Sequence, residues 1–433
     1  MTQNVVIVGG GLSGLTAAAL LARAGRPVTV FEKASRLGGR AATRDKDGYR
    51  LNLGAHALYG GGAAARLLDE LKVNAPYGSP KRVLVRRRGR LHRAPTDLPS
   101  MFGTDLLDGA GKLELVRFFA RLPFLKPAAA ATIDAQTWID RNVRRPAVHE
   151  FLTNFARTAV YSSALDLVSA EVLLARLKAS TSPVRYVHGG WQTMVDGLRA
   201  AAEAAGARVE SGQRVEQVQI DGSRVRGVVL ADGRVVPTAA VIVAATPSEA
   251  AALLRSSSPL PLGEGQGEGA FPLAALVACL DVAVSHLPRP DHPVVQDLDG
   301  PHFLTVQSLV AQIAPPGGAV LHAMKQLDPR AEPTPADDQR ELEAFLDDLQ
   351  PGWRDHVVDR SFLPRMTASG ILPTAADGGF AGRPDVAVPN LGGAYLAGDW
   401  VGLEGFQADA AMASAERAAR AILAADAVER RAA

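Results

Sequence analysis

Residues 5–15 of this chain read VVIVGGGLSGL. An apolar run, Val5 to Val8, goes straight into Gly9, Gly10 and Gly11, and a helical pattern begins after Gly14. Glycine at such a junction permits positive φ and removes the Cβ, so backbone N–H groups at the start of a helix can close on an anion. The spacing Gly9, Gly11, Gly14 satisfies G-x-G-x-x-G, the phosphate turn of a strand-turn-helix dinucleotide site. Leu15, Ala18, Ala19 and Ala22 then recur at helical spacing, their small side chains letting the helix lie close to a sheet, until Gly25. The PVTVF that follows is a second strand, leading to Glu32 where an acidic residue meets a ribose hydroxyl. A whole βαβ unit is thus written at the start of the chain.

With 433 residues the chain exceeds one ordinary core and predicts two domains, one of them assembled from separated segments. An apolar fraction of 47% and a charged fraction of 21% are those of a globular protein. The formal net charge is only +2, from 47 basic and 45 acidic residues, so no global field calls for nucleic acid. Cys279 is the single cysteine, which rules out an internal disulfide or a multi-cysteine zinc site and suits a reducing cytoplasm. Its setting, AALVACLDV, reads as a buried strand. The N-terminal residues lead directly into a strand the fold needs, which argues against a cleaved signal peptide. No apolar run is long enough to span a bilayer.

After Glu32 comes KASRLGGRAATRDKDGYRLNLGAHALY. A plain nicotinamide site does not need the RLGGR loop. With that loop, the sequence resembles the FAD-containing superfamily of flavin amine oxidases, protoporphyrinogen oxidases and phytoene desaturases, and its N-terminal motifs are most similar to those of the phytoene desaturase branch. The resemblance implies noncovalent FAD: Gly9, Gly11, Ser13 and Gly14 near the pyrophosphate, Glu32 with Lys33 beside it at the adenosine ribose, and Gly39 with Arg40 on the phosphates. A guanidinium fork there offers fixed donors to phosphate oxygens.

Two later blocks fit the same layout. Residues 186–247, from YVHGGW to VIVAATP, read as a helix, strands broken by DG turns, and an apolar strand reaching Ala244. By resemblance Val215 lies beside the adenine, and Ala245 with Thr246 closes over the cofactor. The C-terminal block, GAYLAGDWVGLEGFQADAAMASAERAARAIL, is again strand, glycine turn and helix. The resemblance puts Gly398 and Asp399 at the ribityl and pyrophosphate, and Gly405, Phe406, Gln407 and Ala408 against the flavin ring. A helix N-terminus there favours negative charge on a reduced flavin.

The expected class is therefore α/β plus α+β: a Rossmann-like FAD-binding domain from residues 1–73, 183–255 and 365–433, and a mixed sheet-and-helix substrate domain from 74–182 and 271–364. Residues 256–270, which contain SSSPLPLGEGQGEG, form a low-complexity loop. In the substrate domain KRVLVRRRGRLHRAP predicts a basic hairpin turning at Arg88 to Arg90. Next, a helix carries Leu113, Val116, Phe119 and Ala120 on one side, a pattern that suits a pocket wall or peripheral membrane contact. Strands follow from Phe271 to Leu327.

Because flavin itself accepts a hydride or electrons, the protein's main tasks are orienting substrate and excluding water. His56 and Tyr59, after the LGA turn, and Lys325, the only lysine in the later strands, are the catalytic candidates; Trp400 stands near the place of an amine-caging aromatic. The leading expectation is dehydrogenation or desaturation of an apolar, isoprenoid-like molecule, with oxygen or a quinone as acceptor. An amine oxidase, a redox-neutral polyene isomerase and a noncatalytic FAD-binding protein are the alternatives.

Overall fold

The computed structural model describes residues 4–254 and 272–432; the expected low-complexity loop at 256–270 lies outside them. Val5–Val8 forms the centre of a five-stranded parallel sheet, flanked by Val28–Glu32 and Ala240–Val243, with Arg208–Ser211 and Ala394–Leu396 at the edges. Its strands thus come from the start, the middle and the end of the chain. Register is direct: Ile7 faces Val30 on one side and Ile242 on the other. Strands buried on both faces read as continuous apolar runs, which is why VVIV and AVIV lack alternation. The helices Leu12–Arg23, Gln192–Ala204 and Ala408–Ala432 pack together here, with Ala18, Val195 and Ala415 in one core. An antiparallel sheet of Val215–Asp221, Arg224–Leu230 and Val235–Pro237 adds Val218, Val225 and Val228 to that core.

A second, seven-stranded sheet runs in the order Val357–Ser369, Ala275–Val284, Ala319–Gln326, His302–Thr305, Val294–Asp297, Leu84–Arg87, Arg90–Arg93. All its pairs are antiparallel except Leu84–Arg87 with Val294–Asp297. Side chains alternate across it. Ala278, Leu280 and Ala323 meet Leu342 and Leu346 of the helix Pro335–Leu349 on one face. Val277, Cys279 and Met324 join the helices Ala135–Asn142, Pro146–Val160 and Ala170–Ala179 on the other.

Three local readings change. The strand Val357–Ser369 runs through the expected boundary at 365 and joins the seven-stranded sheet as its edge, where Pro364 removes no ladder bond the sheet needs. In the helix Gly109–Arg121 the buried position is Leu115, while Leu113 and Ala120 are exposed; Leu115 follows Gly111 by one turn and precedes the buried Leu122. The basic hairpin turns at Arg88 and Gly89, both left-handed, and two of its arginines are ion-paired: Arg86 with Asp297 and Asp348, Arg87 with Glu150. No helix among the described residues is long and apolar enough to cross a membrane.

Candidate functional site

Val8, Glu32, Val243 and Leu396 end four neighbouring parallel strands, and ligands of such sheets bind beyond their carboxyl ends. Gly9 leaves the first strand with φ 112°, and a Cβ on it would lie 2.4 Å from the Ala244 carbonyl oxygen. A Cβ on Gly14 would fall 1.9 Å from the Gly9 oxygen. These two glycines are demanded by the turn's own packing. At Gly11 an added Cβ would meet nothing nearer than the Gly38 oxygen at 3.8 Å, so protein packing gives no reason for glycine there. A ligand lying on the turn does. Gly11 is also the N-cap of the helix Leu12–Arg23, no side chain caps that helix, and Ser13 lies in its first turn.

Glu32 accepts the Gly10 N–H at 2.7 Å and the Ala34 N–H at 2.8 Å. One lone pair on each carboxylate oxygen remains for hydroxyl donors. The Gly39 loop docks on the glycine turn through Gly38, whose N–H donates to the Gly10 oxygen at 2.9 Å. Lys33 is ion-paired with Glu249 of the capping box that begins with Thr246. Val215 is buried in the core shared by the two sheets.

Arg40 donates from both terminal nitrogens to Asp399, at 2.8 and 2.6 Å, and Asp399 also accepts the Gly370 N–H at 3.0 Å. Burial would raise the Asp399 carboxyl, but Arg40 and these donors overcome it and hold it below its usual range. The pair brings an acidic residue to the Gly39 loop without net negative charge. Trp400 is no cage wall: it is buried and its Nε1 donates to the Ala245 oxygen at 2.9 Å, tying two strand ends together. Gly398 donates to Ser414 Oγ at 2.9 Å. Gly405 and Gln407 are both left-handed, at φ 73° and 54°, and turn the chain into the helix that starts at Ala408. Phe406 between them is buried, and Gln407 Nε2 donates to the Ala368 oxygen at 3.3 Å.

Arg383, absent from the expected site, clamps this turn. Its Nη1 donates to the Asp399 oxygen at 3.2 Å and its Nη2 to the Gly405 oxygen at 3.1 Å. Burial lowers its pKa to about 10. In GRPDV it carries no motif, and only the fold brings it to the Asp399–Gly405 turn.

The catalytic candidates do not converge. Lys325 is on the sheet face turned to the helix Pro335–Leu349, where its Nζ is 2.9 Å from Asp338 and 2.6 Å from Glu341. It is an outer ion pair. His56 has both ring nitrogens at carbonyl oxygens, Nδ1 to Gly54 and Nε2 to Arg40, each at 3.0 Å, and its ring meets Trp191 edge-on at 4.7 Å. Burial pushes its pKa down. A neutral His56 donates to one of these oxygens only, and the other carbonyl stands against its second nitrogen, so the ring holds the LGA turn with a backbone oxygen in front of each nitrogen. Beneath that turn Asp281 accepts the Gly54 N–H at 2.9 Å and pairs with His322 at 2.7 Å. Tyr59 lies under the Arg176 guanidinium, 3.9 Å from its ring centroid. Burial raises the Cys279 thiol well above its ordinary value. No group of His, Cys, Asp and Glu among the described residues could hold a metal ion.

Strand-end glycines, a helix N-terminus, a strand-end carboxylate with lone pairs left over and a neutralised acid fit a flavin dinucleotide. Residues 12–423 match the family described as flavin containing amine oxidoreductase, and the chain belongs to it. It is similar to a hydroxyneurosporene desaturase of Rubrivivax gelatinosus, 25% identical over 69% of this chain and 64% of the desaturase. A coproporphyrinogen III oxidase of Propionibacterium freudenreichii subsp. freudenreichii is 25% identical over 80% of this chain and 77% of its own. Wild-type putrescine oxidase bound to putrescine has the same fold, with TM-score 0.72 and 19% identity over 98% of this chain and 99% of that one. The chain spans just under two thirds of the desaturase.

Proposed function

We propose that the protein binds FAD noncovalently and dehydrogenates or desaturates a largely apolar small molecule. When bound, the flavin would supply the acceptor for a hydride or for electrons. Gly11, Ser13, Glu32, Arg40 and the start of the helix Ala408–Ala432 would hold it. The observation that carries the reading is the lack of an accessible base among the candidates: His56 has a backbone carbonyl oxygen 3.0 Å from each ring nitrogen, and Lys325 is ion-paired away from the site. Chemistry that needs a protein base is disfavoured by that arrangement, whereas transfer to a flavin needs only orientation and exclusion of water. Noncovalent binding is favoured because the single cysteine is a buried strand thiol, which leaves no C-terminal cysteine for covalent attachment.

We place the protein in the cytoplasm with peripheral membrane contact, since Leu98, Phe102 and Phe124 are exposed near Lys112 and Arg121. Oxygen or a quinone would reoxidise the flavin.

The test is an anaerobic titration of purified holoprotein, following oxidised-flavin absorbance while adding carotenoid precursors and porphyrinogens in detergent and, separately, an amine panel. Bleaching by the apolar set is the expected outcome. Bleaching by amines, with peroxide on admitting air, would replace this reading by an amine oxidase. A bound flavin that nothing bleaches would point to a polyene isomerase or a noncatalytic role.

A further inference from the structure

Arg176 lies on the helix Ala170–Ala179 with 3% of its surface exposed. Its Nε donates to the Ala159 oxygen at 3.2 Å, yet its Nη2 is buried with no hydrogen-bond partner. The guanidinium lies over Tyr59 and 5.8 Å from the centroid of Phe406. A buried cation with an unused donor is costly unless something pairs with it. In Arg383 both terminal nitrogens donate to carbonyl oxygens and only the inner Nε is left without a partner, whereas in Arg176 it is the outward Nη2 edge that is unpaired.

The nearby acid does not supply the missing partner. Asp409 accepts the Ala64 N–H at 3.0 Å and fills the space beside Gly62, where a Cβ would lie 2.0 Å from its Oδ1. Burial raises its carboxyl although Arg176 pulls the other way. Tyr161, buried with Tyr59 and Arg176 acting on it, is also pushed up and stays a neutral phenol. The cluster therefore leaves a buried guanidinium edge without a hydrogen-bond partner beside Tyr59 and Phe406.

We infer that Arg176 is the subsite for a carboxylate carried by an otherwise apolar substrate. The inference rests on the proposed function and narrows its substrate class. Aromatic and apolar neighbours take the body of the molecule, while the Nη2 edge takes a carboxylate oxygen, as a planar guanidinium does. A neutral hydrocarbon would leave that donor unpaired.

The experiment compares citronellic acid with its methyl ester, two branched-chain probes differing only in the charged end, by perturbation of the oxidised-flavin spectrum of holoprotein. The acid should bind at least about tenfold more tightly than the ester, as expected for one charge-assisted contact. Arg176→Met should erase the difference by weakening the acid while leaving the ester within about twofold. Arg176→Gln serves as the second variant where the first does not fold. Equal binding of acid and ester to wild type, no perturbation by either, or an acid preference that survives both substitutions would overturn the inference. So would a variant whose flavin spectrum changes while the preference stays, since Arg176 would then serve the flavin. Binding is read without turnover: an acid that binds through Arg176 but never bleaches the flavin sinks the dehydrogenation reading and leaves the subsite standing.

Discussion

Arg40 and Asp399 are 359 residues apart in the chain and meet in a two-pronged ion pair at 2.8 and 2.6 Å. Asp399 is buried, whereas the Arg40 side chain is half exposed. Arg40→Met strands a buried carboxylate, and the loss should be about 2 kcal/mol, below the full value for a wholly buried pair because water reaches the arginine. Asp399 has its carboxyl held low, so the native state binds fewer protons than the unfolded chain in acid. Its contribution is present above the ordinary aspartate range and disappears as pH falls through the lowered value. Thermal melts from about pH 3 to 7 should show a shallower acid limb in Arg40→Met than in wild type; parallel limbs would refute this.

Gly11 and Gly14 separate ligand binding from folding. Gly14→Ala places a methyl on the Gly9 oxygen and should lower apoprotein stability together with flavin content. Gly11→Ala meets no protein atom closer than 3.8 Å and should leave the apoprotein melting point unchanged. Its flavin affinity should nevertheless fall about tenfold or more, because the methyl occupies the face where backbone N–H groups meet an anion. Equal flavin affinity in Gly11→Ala and wild type would remove the turn from the cofactor site.

Arg383→Met should destabilise the protein by about 2–4 kcal/mol, from two lost hydrogen bonds of a charged donor. Because its pKa of about 10 stays well above neutral, the residue remains protonated across ordinary buffers. The stability difference from wild type should therefore be flat between about pH 5 and 8. Chemical denaturation at several pH values measures both quantities.

His56 should make the protein acid-sensitive in a higher window. Its folded pKa is lowered by burial, so below about pH 6.5 the unfolded chain takes up the proton first and stability drops with falling pH. His56→Gln should flatten the melting curve between about pH 5 and 7 and keep flavin bound at the acid end. A slope unchanged by the substitution would mean that His56 is protonated in the native state.

Local chemistry made part of this architecture readable in advance. The first glycine turn, the apolar strand to Ala244 and the strand-glycine-helix at the end of the chain are short-range patterns whose meaning does not depend on distant partners. Val357–Ser369 was not readable, because Asp359, Arg360, Pro364 and Arg365 break any strand pattern and only its edge position tolerates them. The same limit hid Arg383 and Arg176. One sits in a loop and the other in an ordinary helix, and each acquires its importance from burial that sequence spacing does not encode. Lys325 failed as a candidate for the complementary reason: its strand was correctly expected, but the face it points to depends on sheet register and on the acidic helix Pro335–Leu349 packed there.

The five-stranded sheet also sets a timetable. Val5–Val8 is made before the other strands of its sheet, which stays incomplete until Ala394–Leu396 arrives, and Asp399 and the Ala408–Ala432 helix start come later still. Contacts of such long sequence separation form slowly and leave strand edges uncovered meanwhile. A nascent chain stalled before residue 394 therefore has its first glycine turn but neither a completed sheet nor a counter-charge for Arg40.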